Sequence, residues 1–262
     1  MISYIGRHAA LYDIFYHDKP YRNEAEFIHR YFRKYSQGHT LFEIACGTGN
    51  HAFEFEQLGY NITATDNSVD MINEAERKKA EIFSKVTFAV ESMIELDCRR
   101  YEPSNYAVCL FDSLGYVLTN NNIKKTLNNI YSLLTPNGIF CCEVWHSAAM
   151  LGNYSPTRYK RWHLEDRDIL RISETQLDKA MSTATIDFTI LELHKNGSYT
   201  TIQETQKNRF FSVNEISYFL TESGFTDISI FDSFTQDTHI TDQTWHLLCF
   251  AHKNTKNEEL SL

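Results

Sequence analysis

Short apolar segments alternate with helical segments along most of the chain, and this alternation limits the fold more than any other feature. The spacing predicts five strands in the first 145 residues, at 40–45, 61–65, 85–90, 106–111 and 138–145. It also predicts helices at 50–58, 68–80, 122–134 and 212–223, and closing strands at 225–231 and 244–252. Strands that alternate with helices form βαβ units, whose right-handed crossovers place helices on both faces of a sheet. We therefore expect an α/β fold with a Rossmann-like, mostly parallel sheet of seven strands.

Residues 147–208 interrupt this rhythm, because they show no good helical pattern. Apolar side chains alternate from Ala184 to Ile190, and Asn196-Gly197 is a strong signal for a hairpin turn. We therefore predict an antiparallel sheet inserted into the α/β fold. The predicted organisation is an N-terminal helical lid at 1–36, a Rossmann-like core at 37–146 and 209–253, and an inserted lobe at 147–208 that covers the substrate.

The charge balance and the cysteine pattern exclude several classes of protein. With 34 acidic and 25 basic side chains the formal net charge is −9, so the usual electrostatic basis for nucleic-acid binding is missing. None of the six cysteines forms a C-x-x-C pair, and we expect reduced thiols and no metal site. The sequence shows no signal peptide and no apolar run as long as a membrane span. These features favour a cytoplasmic protein whose partner is a small molecule rather than a nucleic acid or a membrane.

A glycine-rich turn in the segment Glu43–Gly49 joins the first strand to the helix that follows it. Gly47 and Gly49 allow the backbone to approach a ligand closely, and the helix directs its first N–H groups into the same crevice. Asp66 ends the second strand, where a carboxylate can accept both hydroxyl groups of a nucleotide ribose. Together these features predict an adenosine-binding site at the carboxyl ends of the first two strands.

The charges of this crevice distinguish two adenosine cofactors. A dinucleotide fingerprint has glycine at the position of Ala52, but alanine is tolerated there, so an NAD-dependent oxidoreductase remains an alternative. The carboxylate of Glu43 would repel a pyrophosphate, whereas it can hold an ammonium group through ordered water. S-adenosylmethionine carries an ammonium and a sulfonium and no phosphate, and the charges favour it. A catalytically silent S-adenosylmethionine-binding protein is a further alternative.

Several segments resemble the motifs of class I S-adenosylmethionine-dependent methyltransferases. The matching segments are Glu43–Gly49 with Asn50-His51, Ala64–Ser68 with Met71, Phe111–Tyr116 and Leu134–Phe140. Glu143–His146, Arg209–Phe211 and the inserted sheet resemble a narrower branch that includes N,N-dimethyltransferases of nucleotide-linked deoxyamino sugars, in which a histidine often replaces Tyr116. The resemblance implies in-line methyl transfer from S-adenosylmethionine to a small acceptor, with an amine preferred and S-adenosylhomocysteine as the product.

The resemblance also implies which residues hold the donor. Around its methionine portion it places Glu43, Ala45, Cys46, Gly47 and Gly49. Around its ribose and adenine it places Asp66, Asn67, Met71, Ser92 and Met93. Beside the sulfonium and over the donor it places Phe111, Tyr12 and Tyr21. Many members of the family have an acid in place of Ser92, and Glu91 can supply that carboxylate in this chain.

The acceptor site is predicted from residues near the ends of the fourth and fifth strands. The predicted catalytic residues are Tyr12, Tyr116 and His146, and the predicted acceptor contacts are Trp145, Arg158 and Arg209. Tyrosine rings can pack against a cationic sulfur, and His146 can take a proton near neutral pH. Arg158, Arg209 and Lys160 can clamp a substrate phosphate. Asp112 fits either a cap of the following turn or a site residue. Separately, the inserted sheet offers a surface through which a homodimer can form.

Overall fold

A seven-stranded sheet forms the centre of the computed structural model, which describes residues 4–254. Its strands are β1 Thr40–Ile44, β2 Asn61–Asp66, β3 Thr87–Val90, β4 Ser104–Cys109, β5 Leu134–Trp145, β10 Thr226–Asp232 and β11 His246–His252. Their spatial order is β3-β2-β1-β4-β5-β11-β10, and β11 is the one described strand of this sheet that runs opposite to the other six. The predicted Rossmann-like, mostly parallel sheet is therefore confirmed. Its strand order reverses between β1 and β4, which creates a crevice at their carboxyl ends.

Seven helices accompany the strands in the described part of the chain. They are α1 Arg7–Phe15, α2 Tyr21–Tyr35, α3 Asn50–Gln57, α4 Val69–Ile82, α5 Asn120–Leu133, α6 Ser147–Asn153 and α7 Val213–Glu222. Two predicted N-caps are confirmed, because the hydroxyl of Ser68 accepts from the Met71 N–H and that of Ser212 accepts from the Glu215 N–H. No helix within residues 4–254 is both long enough and apolar enough to span a membrane.

Helix α6 corrects the prediction that residues 147–208 contain no helix. Ala149 and Met150 are buried, and the Met150 N–H donates to the carbonyl of His146. A helix of seven residues is two turns long, so its apolar face is too short for a helical period to be visible in the sequence. Burial of the Ala149 and Met150 side chains stabilises it.

The sheet buries both of its faces, as a parallel sheet must. Side chains such as Phe42 and Phe140 point to one face, where α5 and α7 supply the remaining apolar residues. Side chains such as Leu41 and Cys141 point to the other face, which α2 and α3 cover. All six cysteines are free thiols, and five of them are buried. Five of the six cysteines therefore lie in the apolar interior, as predicted, and Cys98 is partly exposed.

A second, four-stranded sheet follows α6 and confirms the predicted antiparallel insertion. Its strands are β6 Thr157–His163, β7 Arg167–Asp178, β8 Thr183–His194 and β9 Tyr199–Arg209, paired in chain order. The predicted turn between β8 and β9 is present, because Gly197 has a φ of 84° and Asn196 accepts from the Ser198 N–H. The boundaries predicted for the lid, core and inserted lobe stay predictions.

The inserted sheet contacts the core most closely at Gly115, in a short 3₁₀ turn after β4 (Ser113–Tyr116). A Cβ atom at Gly115 would lie 1.9 Å from Oδ1 of Asn208 and 2.7 Å from the carbonyl oxygen of Arg209. Asn208 also donates from its side chain to the carbonyl of Asp112 at 3.3 Å. Strand β9 is therefore held against the turn by a contact that only glycine allows.

We expect Gly115→Ala to destabilise the protein by about 1–3 kcal/mol, because the added methyl group must displace β9. Urea unfolding monitored by circular dichroism measures this difference. Gly152→Ala is the matched control, since a Cβ at Gly152 meets no atom within 4 Å. The control should leave stability unchanged or raise it by about 0.5–1 kcal/mol. Equal stability of the two variants would contradict the proposed close contact.

Candidate functional site

A cavity of about 530 Å³ opens at the carboxyl ends of β1, β2 and β4, between the core and the inserted sheet. This volume is typical of small-molecule sites. A second cavity of about 30 Å³ lies beside it. The two cavities share the lining residues Tyr12, Ala45, Gly47, Phe111 and Ser113. We refer to them as the large and the small cavity.

Three non-glycine residues at the cavity rim adopt left-handed backbone conformations, which side chains normally disfavour. Ala45 follows β1 with a φ of 56°, and Phe111 and Asp112 follow β4 with φ values of 54° and 58°. Such conformations cost about 1–3 kcal/mol each for residues with a side chain and persist where the surrounding structure holds them. Both sharp turns face the crevice, so the strain is concentrated at the site.

The carboxylate of Asp66 joins the ends of β1 and β2. Its Oδ2 accepts from the Gly47 N–H at 2.9 Å, and its Oδ1 accepts from the Ser68 N–H at 2.9 Å. Burial raises the pKa of Asp66, while these backbone donors oppose the shift. Asp66 lines the large cavity, and each of its oxygens has a further lone pair, so it can still accept hydroxyl groups of a ligand.

Glu43 presents an unusual carboxylate to the small cavity. It is buried, and within residues 4–254 its Oε2 has no hydrogen-bond partner. Burial, together with the charge of Asp66, raises the pKa of Glu43 to about 8. A buried oxygen without a partner beside a glycine turn fits the ammonium group of an amino acid. The residues present therefore fit the amino-acid and ribose portions of S-adenosylmethionine.

Aromatic rings from the N-terminal segment close the large cavity. The rings of Tyr4 and Tyr12 meet edge to face at 5.1 Å, those of Tyr12 and Tyr16 lie 4.7 Å apart, and Tyr16 meets Phe111 at 4.9 Å. Burial raises the pKa of Tyr12 and of Tyr116, so both remain neutral phenols at neutral pH. They can pack and donate hydrogen bonds, but they are poor proton acceptors.

Polar contacts hold this aromatic segment to both sheets. Asp13 accepts from Thr48 at 2.7 Å, and Lys78 lies 2.8 Å from the other oxygen of the same carboxylate. Glu204 of the inserted sheet accepts from the backbone N–H groups of Tyr4 and Ile5. These contacts attach the N-terminal aromatic segment to the glycine turn on one side and to the inserted sheet on the other.

Most of the predicted site residues lie at these cavities. The predicted residues that line the large cavity are Tyr12, Ala45, Gly47, Asp66, Asn67, Met71, Met93, Phe111, Tyr116, Trp145 and Arg158. The small cavity adds Tyr21, Glu43 and Cys46. The structure thus brings these side chains together, and their individual roles remain proposals.

His146 and Arg209 line neither cavity, and their predicted roles stay predictions. His146 is buried, and its Nδ1 is 3.0 Å from the carbonyl of Thr244, so its ring is part of the packing between β5 and the chain before β11. Arg209 is buried as well, and its guanidinium bonds the side chains of Asn120 and Glu215. Both residues occupy positions next to the site along the chain, but their side chains point into the core.

Ser92 and Gly49 also line neither cavity. The hydroxyl of Ser92 accepts from the Ile94 N–H and lies outside both cavities, and the substitute Glu91 pairs with Arg100 at 2.6 Å. Gly49 has a φ of 80°, and a Cβ there would lie 2.7 Å from the ring of Phe88. The absence of a side chain at this glycine allows the turn to pack against the ring of Phe88.

A cluster of three titratable residues at the wall of the large cavity was not predicted. Nδ1 of His246 lies 2.9 Å from Glu143 Oε1, and its Nε2 lies 3.6 Å from Asp112 Oδ2. The other oxygen of Glu143 accepts from the Phe111 N–H at 2.8 Å. The three residues come from β11, β5 and the turn after β4, so no local motif contains them. Within residues 4–254, no group of three or more histidine, cysteine, aspartate or glutamate side chains is arranged to hold a metal ion.

Cationic side chains form the wall toward the inserted sheet. Arg158 stacks over Trp245 at 5.5 Å and Arg171 over Phe15 at 4.8 Å, and both line the large cavity. Within the described residues neither arginine forms an ion pair, whereas Lys160 lies 3.1 Å from Asp18. Arg171 was not predicted, because a single arginine on an alternating strand has no distinguishing pattern. An unpaired guanidinium beside an open cavity can bind a phosphate or carboxylate.

Comparison with known proteins agrees with this geometry. Residues 41–138 match the profile of a family described as a methyltransferase domain. A protein of Geobacillus sp. (strain WCH70) named as a methyltransferase is 23% identical over 236 residues, 86% of this chain and 90% of its own length. A dTDP-3-amino-3,4,6-trideoxy-alpha-D-glucopyranose N,N-dimethyltransferase of Streptomyces venezuelae is 28% identical over 141 residues, 53% of this chain and 57% of its own. The crystal structure of an S-adenosylmethionine-dependent methyltransferase from Clostridium acetobutylicum ATCC 824 superposes with a TM-score of 0.81 at 18% identity, covering 95% of this chain and 98% of that one.

The strand order and the carboxylate-lined crevice agree with the methyltransferase-domain profile that residues 41–138 match, and together these findings support an S-adenosylmethionine-dependent methyltransferase. The proteins similar to this chain include an N,N-dimethyltransferase of a deoxyamino sugar. The alternative of an NAD-dependent oxidoreductase is therefore set aside.

We expect Asp66→Asn to weaken the binding of S-adenosylhomocysteine by roughly 10- to 100-fold, because a charge-assisted hydrogen bond contributes about 1.5–3 kcal/mol. Isothermal titration calorimetry measures the change in Kd. Asp97→Asn is the control, since that carboxylate also accepts a backbone N–H but lies on an exposed turn outside both cavities. Unchanged affinity in Asp66→Asn would contradict the ribose role.

The small cavity predicts a pH dependence of donor binding. Glu43 has a pKa of about 8, so its carboxyl group is largely protonated below that pH and cannot attract an ammonium group. The affinity for S-adenosylhomocysteine should rise from about pH 6 to about pH 8, by at most about tenfold per pH unit. Glu43→Gln should flatten this rise when Kd is measured across the same range. A wild-type affinity that falls over this interval would show that Glu43 does not face the ammonium group.

Proposed function

We propose that the enzyme methylates the amine of a small acceptor that also carries an anionic group, with a nucleotide-linked amino sugar as the leading example. The observation that supports this is the polarity of the large cavity. Its inner wall carries the buried carboxylate of Asp112, while Arg158 and Arg171 lie on its outer wall. An acceptor with a cationic and an anionic end would complement both walls.

The relatives support the same acceptor class. The Streptomyces venezuelae protein is named as an N,N-dimethyltransferase of a dTDP-linked amino sugar. Such a substrate joins an amine to a diphosphate, which is the separation of charge that the cavity offers. An amine also suits a site where the phenols remain protonated, because a neutral amine attacks without a strong base, whereas a hydroxyl usually requires one.

In this proposal the chain's own residues bind, orient and exclude water. Glu43 and the glycine turn hold the amino-acid portion of the donor, and Asp66 holds its ribose. S-adenosylmethionine, when bound, supplies a methyl group activated by its sulfonium. Tyr12 and Tyr16 shield the inner cavity from water, and alignment of the reacting atoms supplies about 7–11 kcal/mol of the barrier reduction.

Radiolabelled methyl transfer tests the acceptor class. The enzyme should label dTDP-3-amino-3,4,6-trideoxyglucose, and it should not label the analogue with a hydroxyl group in place of the amine. It should label the free amino sugar far less efficiently, because that compound lacks the anionic group. Labelling of the hydroxyl analogue would contradict N-methylation, and equal labelling of the free sugar would contradict the anion site.

Arg158→Met sharpens this test. We expect it to raise KM for the nucleotide-linked amine by about tenfold or more, since a bidentate contact to phosphate is lost, and to leave the free sugar unaffected. Arg161→Met is the matched control, because Arg161 lies on the same strand but pairs with Asp168 outside the cavity. Equal effects of Arg158→Met on both acceptors would contradict a role in anion binding.

A further inference from the structure

The proposed function places the Asp112 carboxylate on the inner wall of the large cavity but assigns it no chemical step. We propose that the Asp112 carboxylate binds the amine of the acceptor and takes its proton before methyl transfer, while His246 and Glu143 hold that carboxylate in place. This inference rests on the proposed function in one respect, because it takes the acceptor to be an amine. It assigns the recognition of that amine to a particular side chain.

The position of Asp112 points to a ligand. It directly follows Phe111, which lines both cavities, and it lines the large cavity itself. The residue is only 4% exposed, and among residues 4–254 its Oδ1 has no well-aligned hydrogen-bond partner. Buried carboxylate oxygens are normally paired. A donor brought by a ligand would satisfy this one.

The simpler role of a helix cap does not fit. Asp112 precedes the 3₁₀ turn Ser113–Tyr116, but its side chain makes no capping hydrogen bond. The Gly115 N–H instead donates to the main-chain carbonyl of Asp112 at 2.9 Å. The backbone also adopts left-handed conformations at both Phe111 and Asp112. Two successive strained residues that hold an uncapped carboxylate at a cavity are typical of a functional position.

Charged side chains from three parts of the fold surround the Asp112 carboxylate and influence its pKa. His246 of β11 faces it at 3.6 Å, Glu143 of β5 holds the far side of that imidazole at 2.9 Å, and Lys19 from the loop after α1 adds a positive charge. Burial raises the pKa of Asp112 to about 7, even though His246, Lys19 and Trp145 lower it. Burial alone would lower the pKa of His246, but the charge of Asp112 and the hydrogen bond to Glu143 raise it to about 9.

These values suit proton removal from an ammonium group. Near neutral pH His246 is protonated, and Asp112 is divided between its two forms. The acceptor ammonium gives one proton to the Asp112 carboxylate, which frees the nitrogen lone pair. That lone pair then forms the bond to the methyl carbon while the carbon–sulfur bond breaks and leaves its electron pair on sulfur. Asp112 releases the proton to solvent when the product leaves.

Sinefungin tests this role without knowledge of the acceptor. It resembles S-adenosylhomocysteine but carries an amine-bearing carbon in place of the sulfur, so its extra ammonium group occupies the position of the transferred methyl. We expect the wild-type enzyme to bind sinefungin at least tenfold more tightly than S-adenosylhomocysteine. Asp112→Asn should abolish this preference, and the Kd for S-adenosylhomocysteine should change less than twofold. Calorimetry provides all four constants.

Three results would overturn the proposal. One is a sinefungin preference that survives in Asp112→Asn. Another is an equal loss of affinity for sinefungin and for S-adenosylmethionine, which would assign the carboxylate to the donor sulfonium instead. The third is an equal effect from Asp187→Asn, the charge-matched control, which lies on strand β8 and bonds Thr205 outside the large cavity. Failure of the acceptor panel alone would leave these binding results unchanged, so the two proposals fail separately.

The wild-type protein offers a measurement that needs no variant. The preference for sinefungin should rise as the pH increases through about 7, because only the ionised form of Asp112 attracts the ammonium group. Ionisation of Glu43 changes the Kd of both ligands by the same factor, so it cancels in the ratio of the two constants. His246→Gln should move the midpoint to higher pH, since Asp112 loses its cationic neighbour. A ratio that is constant or falls with pH would contradict the proposal, as would an unmoved midpoint in His246→Gln.

Discussion

The carboxylate of Asp66, which bridges the Gly47 and Ser68 N–H groups, is the interaction on which the site depends. It joins the ends of two parallel strands and fixes the glycine turn against the start of α4. The same crevice contains the buried carboxyl group of Glu43, so the protein concentrates acidic groups where its sheet changes direction. Burial of such groups is costly without a partner. The crevice is consequently prepared for a ligand that brings positive charge and hydroxyl groups and carries no phosphate at this end.

Much of the fold could be predicted because its signals are local. Short apolar runs marked the strands, Ser68 and Ser212 marked helix starts, and Asn196-Gly197 marked a hairpin. The handedness of βαβ units predicted helices on both faces of the sheet. The predicted start of β5 at residue 138 was late, because the structure begins that strand at Leu134 and accommodates Asn137 through a register shift. The helix α6 was missed because its stability comes from burial rather than from a visible period.

The residues of the site were likewise predictable where they belong to one local motif, and not where distant segments bring them together. Residues of the glycine turn and the end of β2 were predicted correctly as neighbours of the cavity, since they belong to one motif. His146 and Arg209 were assigned by their nearness along the chain, but the direction of a side chain depends on tertiary packing. The cluster of Asp112, Glu143 and His246 spans more than a hundred residues of sequence. The pairing of β5 with β4 on one side and with β11 on the other brings these three groups together.

A crystal structure of the enzyme with S-adenosylhomocysteine is the most direct test of the central claim. The account predicts that the Asp66 carboxylate accepts both ribose hydroxyl groups while it keeps its bonds to Gly47 and Ser68. It also predicts the amino-acid portion of the ligand in the small cavity beside Glu43. A ligand bound elsewhere, or an Asp66 side chain turned away from the ribose, would contradict the account.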